Sequence, residues 1–201
     1  MKRQEVVLRR IACGYISGER SFTQLGISKE LGVSLSAVNG AVSNLRDINA
    51  VRVKRRSFEV TALDRLLLYW ATHRNLKKDI TYQTRADMPV KDIEKSMPDG
   101  AAFTCYTAYR LLYDDAPADY SEVYVYATDD ALDEIKRRFK SSDKVPNVII
   151  LKCDSGLERM IKEHKLKRSS VCAAQIFVDL WNANQWYAKD FVDALLKRLV
   201  Q

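Results

Sequence analysis

GVSLSAVNGAVSNL, residues 32 to 45, decides how the first part of this chain folds. Val33, Val38, Val42 and Leu45 fall at the spacing of a buried helical stripe, and Ser34 stands where an N-cap would, so the stretch predicts a helix running to about Asp47. The opposite face carries no charge and almost no bulk: Ser34, Ser36, Asn39, Gly40, Ser43 and Asn44. Ser and Gly weaken a helix relative to Ala or Glu, so a face that only met solvent would not favour them.

The flanks extend the pattern. Upstream, residues 4 to 16 read as an amphipathic helix with Val6, Val7, Ile11 and Tyr15 toward a core. SFTQLGISKELG then offers Ser21 or Thr23 as a cap, places Leu25, Ile27 and Leu31 on the apolar side, and stops at Gly32. Downstream, Asn49 marks a left-handed turn. VRVKRRSFEV predicts two short strands, residues 51 to 54 and 57 to 60, joined around Arg55 and Arg56. Thr61 can cap a further helix through Leu63, Leu66, Leu67 and Trp70 to about Arg74.

Charge separates this part from the remainder. The 201 residues carry a formal +7, but residues 1 to 78 hold fifteen Lys and Arg against six Asp and Glu, a net +9, and residues 79 to 201 hold eighteen against twenty. Excess positive charge confined to one segment points to a polyanion, most simply nucleic acid. Membrane spanning is not expected, because LLLYW at residues 66 to 70 is closed by Arg65, His73 and Arg74 and no run approaches the roughly 18 apolar residues a span requires. Arg9 and Arg10 break the only apolar stretch near the N-terminus, so no signal peptide is expected and the cytoplasm is the expected compartment. Cys13, Cys105, Cys153 and Cys172 are far apart with no CxxC, and His73 and His164 are the only histidines; buried or incidental thiols are expected, with no disulfide framework, zinc site or cofactor.

Helix, helix, tight turn, helix, hairpin, helix is the order of a winged helix-turn-helix. GISKELGVSLSAVNGAVSNLRDINAVRVKRRSFEVT resembles the helix-turn-helix and wing of many prokaryotic regulators, and the resemblance covers roughly residues 4 to 75. It implies double-stranded DNA as the partner. A helix that enters a major groove needs an apolar inner face for docking and a slim polar outer face, so that its backbone can approach the base edges. Ser34, Ser36, Asn39, Gly40, Ser43 and Asn44 meet that need, with Asn39 placed to pair with adenine. Lys54, Arg55 and Arg56 at the hairpin tip would reach phosphates or a minor groove. Lys2, Arg3 and Arg46 are secondary cations.

Beyond NLKKD at residues 75 to 79 the pattern is mixed. ITYQT, EVYVYAT and NVIILKC read as strands; VKDIEKSM, AFTCYTAYRLL, DALDEIKRRF, AAQIFVDLWN and QWYAKDFVDALLKRL read as helices. The expected fold class is therefore α/β (α+β), in two parts, 1–78 and 79–201. TAYRLLYDDAPADYSEVYVYATDD and the closing VCAAQIFVDLWNANQWYAKDFVDALLKRL are similar to the C-terminal domain of the abortive-infection (AbiEi-like) antitoxin and regulator family, over about residues 98 to 200. That resemblance implies a nucleotidyltransferase-like fold behind a winged helix. Active nucleotidyltransferases need a glycine turn and two carboxylates one residue apart on the next strand, to hold magnesium. Here AAFTCYT has no glycine after Gly100, and SEVYV offers Glu122 but puts Tyr124 in the second position, so the fold is implied without its chemistry.

Other acidic pairs are weighed as caps or loops. Asp129 and Asp130, with Thr128, cap a helix rather than bind metal; Asp114 and Asp115 stand beside Pro117. His164 has no nucleophile partner in any motif. Tyr106, Tyr109, Tyr113, Tyr124, Tyr126, Trp181 and Trp186 are spaced for core packing rather than a base-stacking pocket. Phe191, Val192, Leu195, Leu196 and Leu199 form a helix face that packs inward or against a second subunit. The sequence thus predicts a non-catalytic DNA-binding transcriptional regulator, in one version an antitoxin repressing its own operon, with a homodimer and a cognate toxin as partners. The alternative is a nucleotidyltransferase-type enzyme guided by the winged helix.

Overall fold

The computed structural model describes residues 3–166 and 169–200, the Arg3 side chain excepted, and the fold is mixed α/β. Lys2 and the Arg3 side chain, both named above as secondary cations, lie outside what is described. Helix α1 (Arg3–Ile16) buries Val7, Leu8, Ile11 and Ala12. Helix α2 (Gln24–Leu31) is capped by Thr23, whose Oγ1 accepts from the Gly26 N–H at 3.0 Å, and ends at Gly32 with φ 64°. Helix α3 (Leu35–Asp47) is capped by Ser34, whose Oγ accepts from the Ala37 N–H at 3.2 Å; its inner face is Val38, Ala41, Val42 and Leu45, all buried. Asn49 takes the left-handed turn at φ 57°. Strands β1 (Val51–Val53) and β2 (Phe58–Val60) then pair antiparallel, with Val51 opposite Val60, and helix α4 (Leu63–His73) follows.

The strands are a residue shorter at the turn than the sequence reading has them, Val6 is only partly buried, and further details differ. Leu25 is 55% exposed, because the short α2 buries Ile27 and leaves the flanking turn to solvent. Thr61 does not cap α4: its hydroxyl donates to the Asn49 carbonyl at 3.3 Å, and Ala62 occupies the cap position with no side-chain bond. The hairpin also has an anchor the pattern did not show. Phe22 and Phe58 exchange backbone hydrogen bonds of 2.9 and 2.8 Å while their rings stack at 5.5 Å, tying the segment before α2 to β2.

The second sheet has the order β3 (Ile80–Thr84), β6 (Val148–Lys152), β5 (Val123–Ala127), β4 (Ala101–Thr104). β5 and β6 are parallel and the outer pairings antiparallel. Both central strands are buried on two faces, which is why VYVYA and VIIL carry no solvent-facing alternation. Val123, Val125 and Ala127 pack with Ile93 of α5 (Val90–Lys95) and with Ala131 and Ile135 of α7 (Asp129–Arg138), capped by Thr128 as expected. Tyr124 and Tyr126 point into the larger core with α6 (Cys105–Tyr113) and α9 (Ala173–Trp181). AFTCYTAYRLL is therefore not one helix. Its first residues form β4, since Ala102 and Thr104 pair across from Tyr126 and Tyr124, and the chain enters α6 through Cys105 at φ 52°. An additional helix, α8 (Ser155–Lys162), follows β6, and α10 (Ala188–Val200) closes the chain.

Helix α9 explains how the two parts meet. Residues 173 to 180 are all buried, as a helix apolar on every side requires, and α1, α4, α6 and α10 pack around it. The larger core thus runs through the 3-10 turn Leu76–Asp79, joining residues on both sides of Lys78. Phe191, Val192 and Leu195 of α10 are buried in it and Leu196 and Leu199 pack against it, so that face is used within the chain. Tyr106, Tyr109, Tyr124 and Tyr126 are core residues as expected, whereas Trp181 and Trp186 are 46% and 84% exposed. Trp181 ends α9 and Trp186 lies in the loop between α9 and α10.

Polar groups fasten the same junction. The Arg74 guanidinium, buried at the end of α4, donates to Asp79 Oδ2 (2.5 Å), Tyr126 OH (3.0 Å), Glu5 Oε2 (3.3 Å) and Asp179 Oδ1 (3.3 Å). Asp179 in turn accepts from Thr104 (2.7 Å), Tyr126 (2.8 Å) and Gln175 (2.9 Å). Cys13 of α1 and Cys172, the residue before α9, form a disulfide, contrary to the expectation of separate thiols; the fold brings Cα atoms 159 residues apart in sequence to 6.1 Å. Cys105 and Cys153 are free.

Arg9 makes a bidentate pair with Asp154 at 2.6 and 2.7 Å, and Asp154 also caps α8. Burial pushes the Asp154 carboxyl up, but the Arg9 guanidinium and the Leu157 N–H outweigh it and hold it below the usual carboxylate range. The stabilisation from this pair is complete above the unfolded value of about 3.9 and is lost as pH falls through the lower folded value. Urea midpoints of the parent and Asp154→Asn, which keeps a capping side chain, are expected to differ at pH 6 and to converge below about pH 4. A gap that stays constant as pH falls well below 4 would contradict the pairing.

Candidate nucleic-acid interface

The site is built on α3 and the β1–β2 hairpin. Because Val38, Ala41, Val42 and Leu45 pin the inner face of α3, the helical period turns Ser34, Ser36, Asn39, Gly40 and Asn44 outward, and all five are exposed. Ser43 is half-buried; its hydroxyl accepts from Arg46 Nη2 at 3.1 Å, and Arg46 also bonds Asp47 Oδ1 at 3.0 Å. No atom lies within 4 Å of the position a Cβ would take on Gly40, so the chain itself does not require glycine there. None of the described residues of the carboxyl-terminal part covers this ridge.

The hairpin tip is closed by the Lys54 N–H donating to the Ser57 carbonyl at 2.8 Å, which displays Lys54, Arg55 and Arg56 to solvent. The three are not equivalent. Lys54 Nζ lies 2.6 Å from Glu59 Oε2 and keeps the Glu59 carboxyl below its ordinary range, whereas Arg55 and Arg56 have no ion-pair partner among the described residues. Their charge is uncompensated and available to an incoming anion.

Arg52 and Leu35, both exposed on this unit, escaped the sequence reading. Arg52 faces outward from β1, 3.7 Å from Glu59, and its strand alternation with Val51 was the signal available. Leu35, at the first turn of α3, is 48% exposed beside Ser34 and Ser36. An apolar side chain there suits contact with sugar or a thymine methyl.

Glu122 accepts from the Tyr187 hydroxyl and from Ser121 Oγ (3.0 Å), and Tyr124 is buried with its hydroxyl donating to Gln185 Oε1 at 3.3 Å. Among the described residues no group of three or more His, Cys, Asp or Glu is gathered to hold a metal ion, and no helix is long and apolar enough to cross a membrane. The chain matches no family model, no curated protein and no solved structure.

Proposed function

We propose that this chain is a sequence-specific DNA-binding transcriptional regulator of the cytoplasm, with residues 1–78 as a winged helix-turn-helix unit and residues 79–201 as a non-catalytic, nucleotidyltransferase-like partner domain. The observation that carries the reading is the exposed outer face of α3, uncharged from Ser34 to Asn44, followed in the chain by a hairpin tip bearing two arginines without an ion-pair partner among the described residues. Base edges are read by Asn39 and the Ser36 hydroxyl, and Arg55, Arg56 and Arg52 hold phosphates. Paired half-sites would raise the modest affinity of one unit, which favours a homodimer on palindromic duplex. An antitoxin-type autorepressor with a cognate toxin is the specific form of this proposal that the AbiEi-like resemblance suggests.

The test is a salt-titrated binding assay on genomic fragments. With about six phosphates neutralised per bound unit, log K should fall with log salt at a slope near −5. Arg55→Ala/Arg56→Ala is expected to weaken all duplexes alike and to flatten that slope by about 2. Asn39→Ala is expected to leave the slope intact and to remove about 1–3 kcal/mol of discrimination at one base pair. Equal, salt-insensitive binding by all three proteins would end this reading.

A further inference from the structure

The Cys13–Cys172 bond lies at the wall of a cavity of about 490 Å³ between α1, α2 and α8, lined in part by both cysteines, Arg10, Arg159, Met160 and Leu31. Neither cysteine is fully buried. Arg159 at this cavity is exposed and makes no salt bridge among the described residues, feeling Glu163 only at longer range, whereas Arg10 is held by Glu19 and Glu30 and Lys165 by Glu163. The two remaining thiols are poorly suited to exchange. Cys105 is completely buried and desolvation pushes its thiol well up, with Asp179 adding to the effect; Cys153 is pushed up to about 12 by burial and then by Asp154. Only the thiolate is nucleophilic, so both stay inert near neutral pH.

We propose that Cys13 and Cys172 are a reversible thiol–disulfide site, closed and opened through this cavity by a small acidic disulfide or thiol of the glutathione class, and that it latches the basic unit to α9. In closing, one cysteine thiolate attacks a sulfur of the small disulfide, whose S–S bond breaks and releases one thiolate that takes up a proton. The second cysteine, giving up its proton, attacks the cysteine sulfur of the mixed disulfide and expels the second small thiol. Two electrons pass from the protein pair to the small disulfide; opening is the reverse, with two small thiols oxidised. Arg159 offers the entering carboxylates a counter-charge. This inference stands independently of the function proposed above, since its readouts do not involve DNA.

The full-length protein is equilibrated with oxidised and reduced glutathione in varied ratio, alkylated with a mass label, digested and mapped. Cys13 and Cys172 are expected to gain or lose label together, while Cys105 and Cys153 stay constant across the series. Because the bond closes a loop spanning 159 residues, the oxidised form is expected to melt about 5–10 °C above the reduced form. Cys13→Ser/Cys172→Ser should match the reduced form at every ratio. Arg159→Ala, on the exposed wall, should slow closing by oxidised glutathione more than closing by a neutral aliphatic disulfide. Four results would overturn the proposal: no Cys13–Cys172 link in excess oxidised glutathione; a link that excess reduced glutathione cannot open in the folded protein; pairing through Cys105 or Cys153; or identical melting of the two forms.

Discussion

Arg74→Leu is expected to lower the unfolding free energy by about 3–5 kcal/mol, the largest loss expected of any single change considered in this chain. The guanidinium is almost wholly inaccessible and serves four acceptors from different elements: Glu5 on α1, Asp79 in the turn after α4, Tyr126 on β5 and Asp179 on α9. Removing it leaves Asp179, fully buried, and Glu5, nearly so, without their cation. A buried charge stripped of its partner costs far more than the pair contributes, because desolvation is still suffered and the compensation is gone. Arg74→Lys should recover only part of the loss, since one ammonium cannot span the directions that the planar fork reaches. Urea unfolding followed by tryptophan fluorescence measures both, with Trp70, buried one helical turn before Arg74, as a reporter. Parent-like midpoints for Arg74→Leu would show that the junction is held by its apolar contacts alone.

Gly40→Phe should separate stability from binding. Glycine inside a helix costs roughly 0.5–1 kcal/mol relative to alanine, and at the exposed Gly40 an added Cβ has nothing to strike. The variant is therefore expected to be at least as stable as the parent, and Gly40→Ala more stable by up to about that amount. On duplex the order reverses. A ring on the outward face of α3 would hold the helix away from the base edges, and loss of 100-fold or more in specific affinity is expected, equivalent to about 2.7 kcal/mol. Weak, strongly salt-dependent binding through Arg55 and Arg56 should survive. If Gly40→Phe binds its best fragment as the parent does, α3 does not enter the groove by this face.

These two residues also mark how far the sequence could be read. Gly40 and its neighbours were legible because local periodicity sets which way a helical side chain points once Val38, Val42 and Leu45 are assigned inward. Ser34, Gly32, Asn49 and the Lys54 to Ser57 turn were legible for a related reason: caps and turns are satisfied within a few residues. Arg74 was not. At the end of a helix, beside His73 and Asn75, it reads as a solvated cation, and only the approach of α1, β5 and α9 turns it into a buried centre. The boundary of β4 was hidden in the same way. AFT has no local preference strong enough to resist strand pairing once β5 lies alongside, whereas CYTAYRLLY, free of a partner strand, coils.

What the chain's order alone determined is whatever short-range spacing controls: the run of helices and hairpin through residue 74, the central strands apolar on both faces, and the concentration of positive charge in the first 78 residues. The tertiary structure alone decided which groups distant in sequence become neighbours. It placed Cys13 against Cys172, Arg9 against Asp154 and Arg74 against Asp179, and it made α9 the element on which both parts rest. Such pairings depend on closing loops of a hundred residues or more around a shared core, and no periodicity within either segment carries that information.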